Sequence, residues 1–133
     1  MSLDPAAITE RFKGTLGDRL GVRFVEVGRD RVVAELTYRD DLTTIGGSLH
    51  GGTLMALADT VGATATVLNL PPGASTTTLE SKTNFFAPGR SGTVRAESTP
   101  LHRGKRTMVW QTRVTDESGR LLSLTIQTQM VLT

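Results

Sequence analysis

Between Asp41 and Glu80 the chain carries one formally charged residue, Asp59, set among Ala, Leu, Val and Thr. Burying a carboxylate in such company costs free energy unless a partner compensates it. Asp59 is therefore a candidate for chemistry rather than for solubility. An ordinary Asp is ionised at neutral pH and can take up a proton or attack an electrophile. The plainer reading is a buried Asp that bonds neighbouring Thr or backbone groups and fixes packing. Nine residues upstream stands His50, followed by Gly51-Gly52. Two glycines there make a tight entry from loop to helix, which is also the geometry that a backbone oxyanion site needs. His50 itself reads as a structural histidine bonded to the loop rather than as a base.

The element that must position these residues is a helix from about Gly51 to Leu68, with Leu54, Leu57, Ala58, Val61, Ala65 and Leu68 at helical spacing. It has almost no polar face and must be covered on most sides. Pro71-Pro72-Gly73 stops it. Upstream, Asp4 as N-cap and Pro5 at the first helical position predict a short N-terminal helix frayed by Gly14 and Gly17. Val22–Val27 and Val32–Tyr38 read as a hairpin turned at Gly28 to Arg31, and Asp40 to Ser48 as a loop. Four further strand-like runs follow, roughly Ser75–Phe86, Gly92–Leu101, Lys105–Thr115 and Arg120–Leu132, separated by Gly-rich turns. Met108, Trp110, Thr112 and Val114 share one face of the third of these. Leu122, Leu124, Ile126, Thr128 and Met130 share one face of the fourth. The fold class is α+β: sequential hairpins favour an antiparallel sheet of five or six strands, curled around the long helix.

Bulk properties narrow the function. A chain of 133 residues suits one domain spanning 1–133, large enough for a core without disulfides or metal. The net charge of +2 is too mild, with one Trp, one Tyr and four Phe, to suggest nucleic acid. The absence of cysteine removes a thiol nucleophile and fits a reducing cytoplasm. Asp59, Gly62 and several Thr interrupt the apolar segment, so it reads as a core helix and not a membrane span. No Gly-x-Ser-x-Gly elbow surrounds any serine, no dinucleotide or Walker glycine pattern occurs, and His50 and His102 lack metal-ligand spacing.

The arrangement of Leu49-His50-Gly51-Gly52 with Ala58-Asp59, and of Thr78-Leu79-Glu80 leading into Asn84-Phe85-Phe86-Ala87-Pro88-Gly89, resembles the hotdog-fold acyl-CoA thioesterases. Within these it is most similar to the PaaI-type (phenylacetyl-CoA thioesterase) branch, over about Val22 to Thr133. The resemblance implies hydrolysis of an acyl-CoA by a homodimer, assembled as a dimer of dimers, with no metal or redox cofactor. It implies that the Gly51 N–H polarises the thioester carbonyl and that Asp59 is the catalytic carboxylate, as general base or as nucleophile. It implies too that Thr78 supplies a hydroxyl that positions water, and that His50 orients the loop before the helix. Gly52 belongs to the same loop-to-helix entry. Thr44 stands where relatives often carry Asn or Gln near the thioester. The phosphates of coenzyme A would suit Arg103, Lys105 and Arg106, or Arg90 at the Pro-Gly turn, although each of these also reads as part of a solvated turn.

Geometry adds a constraint of its own. Gly51 and Asp59 are eight residues apart on one helix, or about 12 Å along its axis. One carbonyl cannot touch both within one chain. If both act on one thioester, the site joins Gly51 of one subunit to Asp59 of another, and a two-fold pairing makes two equivalent sites. A non-catalytic protein that holds acyl-CoA or another apolar ligand in the subunit groove is the alternative expectation.

Overall fold

A computed structural model describes residues 4–133. Helix α1 (Pro5–Arg11) starts as expected, with the Asp4 carboxylate accepting from the Ala6 N–H at 3.2 Å. The frayed end does not follow. A second short helix, α2 (Leu16–Leu20), runs through Gly17, which is buried. The Phe12 ring and the Thr60 methyl stand 3.1 and 3.6 Å from where a Gly17 Cβ would be, so glycine there permits close packing rather than ending a helix.

The strands are β1 (Arg23–Val27), β2 (Val32–Thr37), β3 (Ser75–Phe85), β4 (Thr93–Arg103), β5 (Thr107–Thr115) and β6 (Leu121–Leu132). They form one six-stranded sheet in the order β1-β2-β4-β5-β6-β3, antiparallel throughout. Tight connections explain the β4-β5 and β5-β6 neighbours. In the latter, the Asp116 carboxylate accepts from the Ser118 hydroxyl and the Ser118 and Arg120 N–H groups. The Ser118 hydroxyl first, then the Arg120 backbone, holds that carboxyl below its ordinary pKa. Strand β3 lies at a sheet edge because the long helix α3 (Gly51–Val67) precedes it and crosses the sheet's inner surface.

Helix α3 is covered as its composition demands: it packs on β2 to β6 and on α2. Leu57, Ala58, Val61 and Ala65 are fully buried in a core with Leu36, Val94, Trp110 and Leu122. Its threonines hide their hydroxyls within the helix, Thr60, Thr64 and Thr66 each donating to the carbonyl four residues back.

The face of β5 carrying Met108, Trp110, Thr112 and Val114 is buried against this core. Strand β6 is reversed from what an apolar stripe suggests. Leu122 is buried, but Ile126 is 37% exposed and Leu124, Thr128 and Met130 are only half-buried. The face turned to the helix is polar: Ser123, Thr125, Gln127 and Gln129 are all fully buried.

The start of α3 is tied to its preceding loop through the buried Thr53 hydroxyl, which donates to the Leu42 carbonyl at 3.0 Å. Thr53→Val removes one of the two bonds to that carbonyl, the His50 N–H at 2.9 Å remaining, and is expected to lower unfolding stability by about 0.5–1.5 kcal/mol. Leu57→Ala, which opens a cavity under α3, is expected to cost about 2–5 kcal/mol. Denaturant titration measures both.

Candidate functional site

His50 is the N-cap of α3, in extended conformation, and its Nδ1 accepts from the Gly52 N–H at 2.7 Å. An accepting Nδ1 places the imidazole proton on Nε2, so the ring bonds the helix it caps rather than the loop before it. Helices begin with four N–H groups that lack an acceptor in the preceding turn. Here the His50 side chain takes that of Gly52 and the His50 carbonyl takes that of Thr53, besides the ordinary helical bond from Leu54, while the His50 N–H reaches the Leu42 carbonyl. The Gly51 N–H is left with no acceptor among the described residues, at the positive end of a 17-residue helix. The Phe85 ring lies over Gly51, its Cζ 3.1 Å from where a Cβ would stand, so this N–H is reached past an aromatic wall and not past a side chain of residue 51.

Asp59 lies two turns along α3 and is half-buried, but its surroundings are not the apolar ones its neighbours in sequence suggest. Its Oδ1 accepts from the Thr78 hydroxyl at 2.7 Å and from the Gln127 side-chain amide at 3.0 Å. The Thr78 oxygen is also 2.6 Å from Gln129 Oε1, and one hydroxyl proton serves one acceptor at a time. Gln129 Oε1 also accepts from Gln127 Nε2 at 3.0 Å, and of the two acceptors beside Thr78 the carboxylate is the stronger, which assigns the Thr78 proton to Asp59. Oδ2 receives no donor from the described residues and stays available.

Strand β3 supplies Thr78 through an irregularity that the sequence does not announce. Thr78 pairs with Gln129 and Glu80 with Thr128, so Leu79 is an extra residue in the ladder. Such a bulge bends the strand and re-aims the side chain beside it. Leu79 is 53% exposed on the outer part of this edge strand and Phe85 is 50% exposed, with Phe86 beside it.

The structure thus brings Asp59 and Thr78 together, keeps His50, Gly51 and Gly52 at the helix start, and leaves the two groups apart within the chain. Thr44, exposed in the loop before His50, uses its hydroxyl to accept from the Gly46 N–H at 3.2 Å. Arg90 donates to the Gly46 carbonyl at 3.2 Å, which fastens the same loop. Arg103 lies at the opposite end of α3 and is committed elsewhere, to Asp30 at 2.7 Å and to Asn69 and the Arg29 carbonyl. Lys105 and Arg106 are exposed in the neighbouring turn. Gln127 and Gln129, absent from the expected site, are the additions. Among the described residues no group of three or more His, Asp or Glu side chains could hold a metal ion, and no helix is long and apolar enough to cross a membrane.

Comparison with known proteins matches residues 46–123 to the thioesterase superfamily. The 1,4-dihydroxy-2-naphthoyl-CoA hydrolase of Escherichia coli is 33% identical over 115 residues, covering 86% of this chain and 85% of that protein. The crystal structure of a thioesterase from Haemophilus influenzae superimposes with a TM-score of 0.95 at 28% identity, covering 100% of this chain and 93% of that one. The E. coli PaaI protein from the phenylacetic acid degradation operon gives a TM-score of 0.86 at 22% identity, covering 96% of this chain and 91% of that one, which is a likeness of fold. A sheet curled around one long helix, as described above, is the hotdog fold.

Replacing His50 with Ala removes the cap and is expected to cost about 1 kcal/mol of unfolding stability, within the range of lost N-caps. A thermal melt checks it.

Proposed function

The chain belongs to the thioesterase superfamily and is a thioester hydrolase; from this premise we propose that it hydrolyses an aromatic acyl-CoA to the free acid and coenzyme A at sites built across a homodimer. The observation that carries this reading is the pairing, on one helix, of an unpaired Gly51 N–H with an Asp59 carboxylate that has one oxygen free. The N–H donates to the thioester carbonyl oxygen and stabilises the negative charge that develops there. Asp59 of the facing subunit uses Oδ2 in one of two ways. It takes a proton from water as the water oxygen bonds to the carbonyl carbon, or it attacks that carbon to form a mixed anhydride that water then opens. In either case the carbon–sulfur bond breaks and coenzyme A leaves as thiolate to be protonated. Thr78 holds Oδ1. Coenzyme A enters only as part of the substrate, and the reaction as written calls on no metal or redox cofactor.

The dimer follows from distance and from the sheet edge. About 12 Å of helix separates Gly51 from Asp59, and β3 presents an open 11-residue edge with Leu79, Phe85 and Phe86 exposed. An open edge of this kind invites pairing with another strand. Antiparallel pairing of β3 with its two-fold copy sets one subunit's α3 start beside the other's Asp59. The half-exposed apolar face of β6, with Leu124, Ile126 and Met130, offers a seat for a second dimer. Phe85 over Gly51 favours a flat acyl group, as does the similarity to a naphthoyl-CoA hydrolase. Arg90, Lys105 and Arg106 remain the candidates for coenzyme A phosphates; Arg103 would first have to release Asp30. The lack of cysteine supports a reducing cytoplasm as its location. Thr44, whose hydroxyl already serves its own loop, is the feature that favours the second reading, a binder without turnover.

Free-thiol release from dihydroxynaphthoyl-, phenylacetyl-, hydroxybenzoyl-, short- and medium-chain acyl-CoAs tests the reaction. Asp59→Asn is expected to lower kcat about a thousandfold with the dimer retained; no thiol release from any substrate by the intact protein favours the binder. Complementation tests the composite site. Gly51→Pro removes the N–H at a position where helices accept proline, and Asp59→Asn removes the carboxylate, so each dimer is inactive alone. Random mixing leaves half the dimers hybrid with one intact site in two, so about a quarter of the activity should return. No recovery from verified hybrids would mean that Gly51 and Asp59 do not act on one thioester.

A further inference from the structure

Gln127 has no part in the reaction as described, yet it is the most unusual polar side chain in the protein. It is fully buried, it bonds the carboxylate, and its own carbonyl oxygen has no donor. A buried amide with an empty acceptor is rarely tolerated without a reason. Its orientation is set by its neighbours. Nε2 donates both protons, one to Asp59 Oδ1 at 3.0 Å and one to Gln129 Oε1 at 3.0 Å. Turning the amide over would set its oxygen against those two oxygens at once.

Gln129 is held in turn. Its Nε2 donates to the Thr76 hydroxyl at 3.2 Å, which itself donates to the Met130 carbonyl at 2.7 Å. A directed chain of donors therefore fixes where the Gln129 oxygen points, and with it the proton-bearing end of Gln127.

The space for Gln127 comes from α3. A Cβ on Gly62 would fall inside the Gln127 carbonyl oxygen and within 2.6 Å of its Cδ. Gly62 is buried in mid-helix, where glycine is otherwise unfavourable. The missing side chain is thus the socket in which the amide sits, one turn beyond Asp59. The groups that face the carboxylate from β3 and β6 are Thr78, Gln127 and Gln129, all uncharged.

We propose that Gln127, seated against Gly62, is a positioning residue for Asp59: it shares Oδ1 with Thr78 and so turns Oδ2, the oxygen that does the work, toward the neighbouring subunit's Gly51. This rests on the thioester hydrolysis proposed above. Thr78 alone supplies one bond about which the carboxylate can swing; the second donor, from a different strand, removes that freedom. The amide does not touch substrate and acts only through the carboxylate.

The test uses the intact dimer with the best acyl-CoA of the panel. Gln127→Leu keeps the volume and removes both donors; kcat should fall about ten- to a hundredfold while KM stays within about threefold, the signature of an interaction that matters in the transition state. A merely structural role would lower the amount of folded dimer and leave kcat per folded site unchanged. Gly62→Ala, which crowds the amide without altering it, is the independent variant. It should lower kcat about tenfold in the native background and less than about twofold beside Gln127→Ala, because the two residues act as one unit. Native kcat in folded Gln127→Leu, or equal losses from Gly62→Ala in both backgrounds, overturns the proposal. Asp59→Asn separates the two readings. If it abolishes turnover while Gln127→Leu is normal, only the positioning role fails; if it is itself normal, the carboxylate mechanism and the positioning role fall together.

Discussion

A helix that is apolar on nearly every side has no face to offer to water, and covering α3 is the constraint on which the rest of the fold depends. Five strands of one sheet curl over it, and α2 closes a further side with Gly17 pressed against Thr60. Because α3 must cross the sheet's inner surface before the chain re-enters the sheet, β3 ends at an edge. The helix that forms the core therefore also presents its N-terminus at the margin, where a backbone N–H is accessible.

Within that core one polar niche is retained. Ser123, Thr125, Gln127 and Gln129 line the inner face of β6, against the general rule that buried faces are apolar. Of these, Gln127 donates to Asp59, and Thr78 of β3 donates beside it, so a carboxylate that would be costly in an apolar core becomes one with two donors. The apolar residues displaced from the inner face, Leu124, Ile126 and Met130, stand on the outer one. Polar and apolar side chains thereby exchange the faces that a buried strand ordinarily gives them.

Much of this was legible in the sequence, and the misreadings have physical causes. The α3 span, the cap at Asp4, the hairpin of β1 and β2, and the four later strands follow from periodicity and turn residues, which are local. Asp59 stands out because charge is absent around it. Helix α2 was hidden because Gly17 reads as a breaker unless one knows that Phe12 and Thr60 occupy the space beside it. The inner face of β6 was hidden because period-two alternation says that two faces differ, not which one turns inward. Gln127 could have been suspected only by matching a polar stripe in a strand to an isolated glycine, Gly62, in a distant helix. Nor does the sequence show Arg103 spent on Asp30, an ion pair across 73 positions.

The cap on α3 also sets a stoichiometry. Of the four N–H groups from His50 to Thr53, the Leu42 carbonyl takes one, His50 takes two through its ring and its carbonyl, and one is left. An uncapped helix end can cradle a phosphate, whose several oxygens want several donors. This one is dosed for a single oxygen. A carboxylate arriving there would find a partner for one of its two oxygens and none for the other, so this helix end discriminates against anions that need several donors.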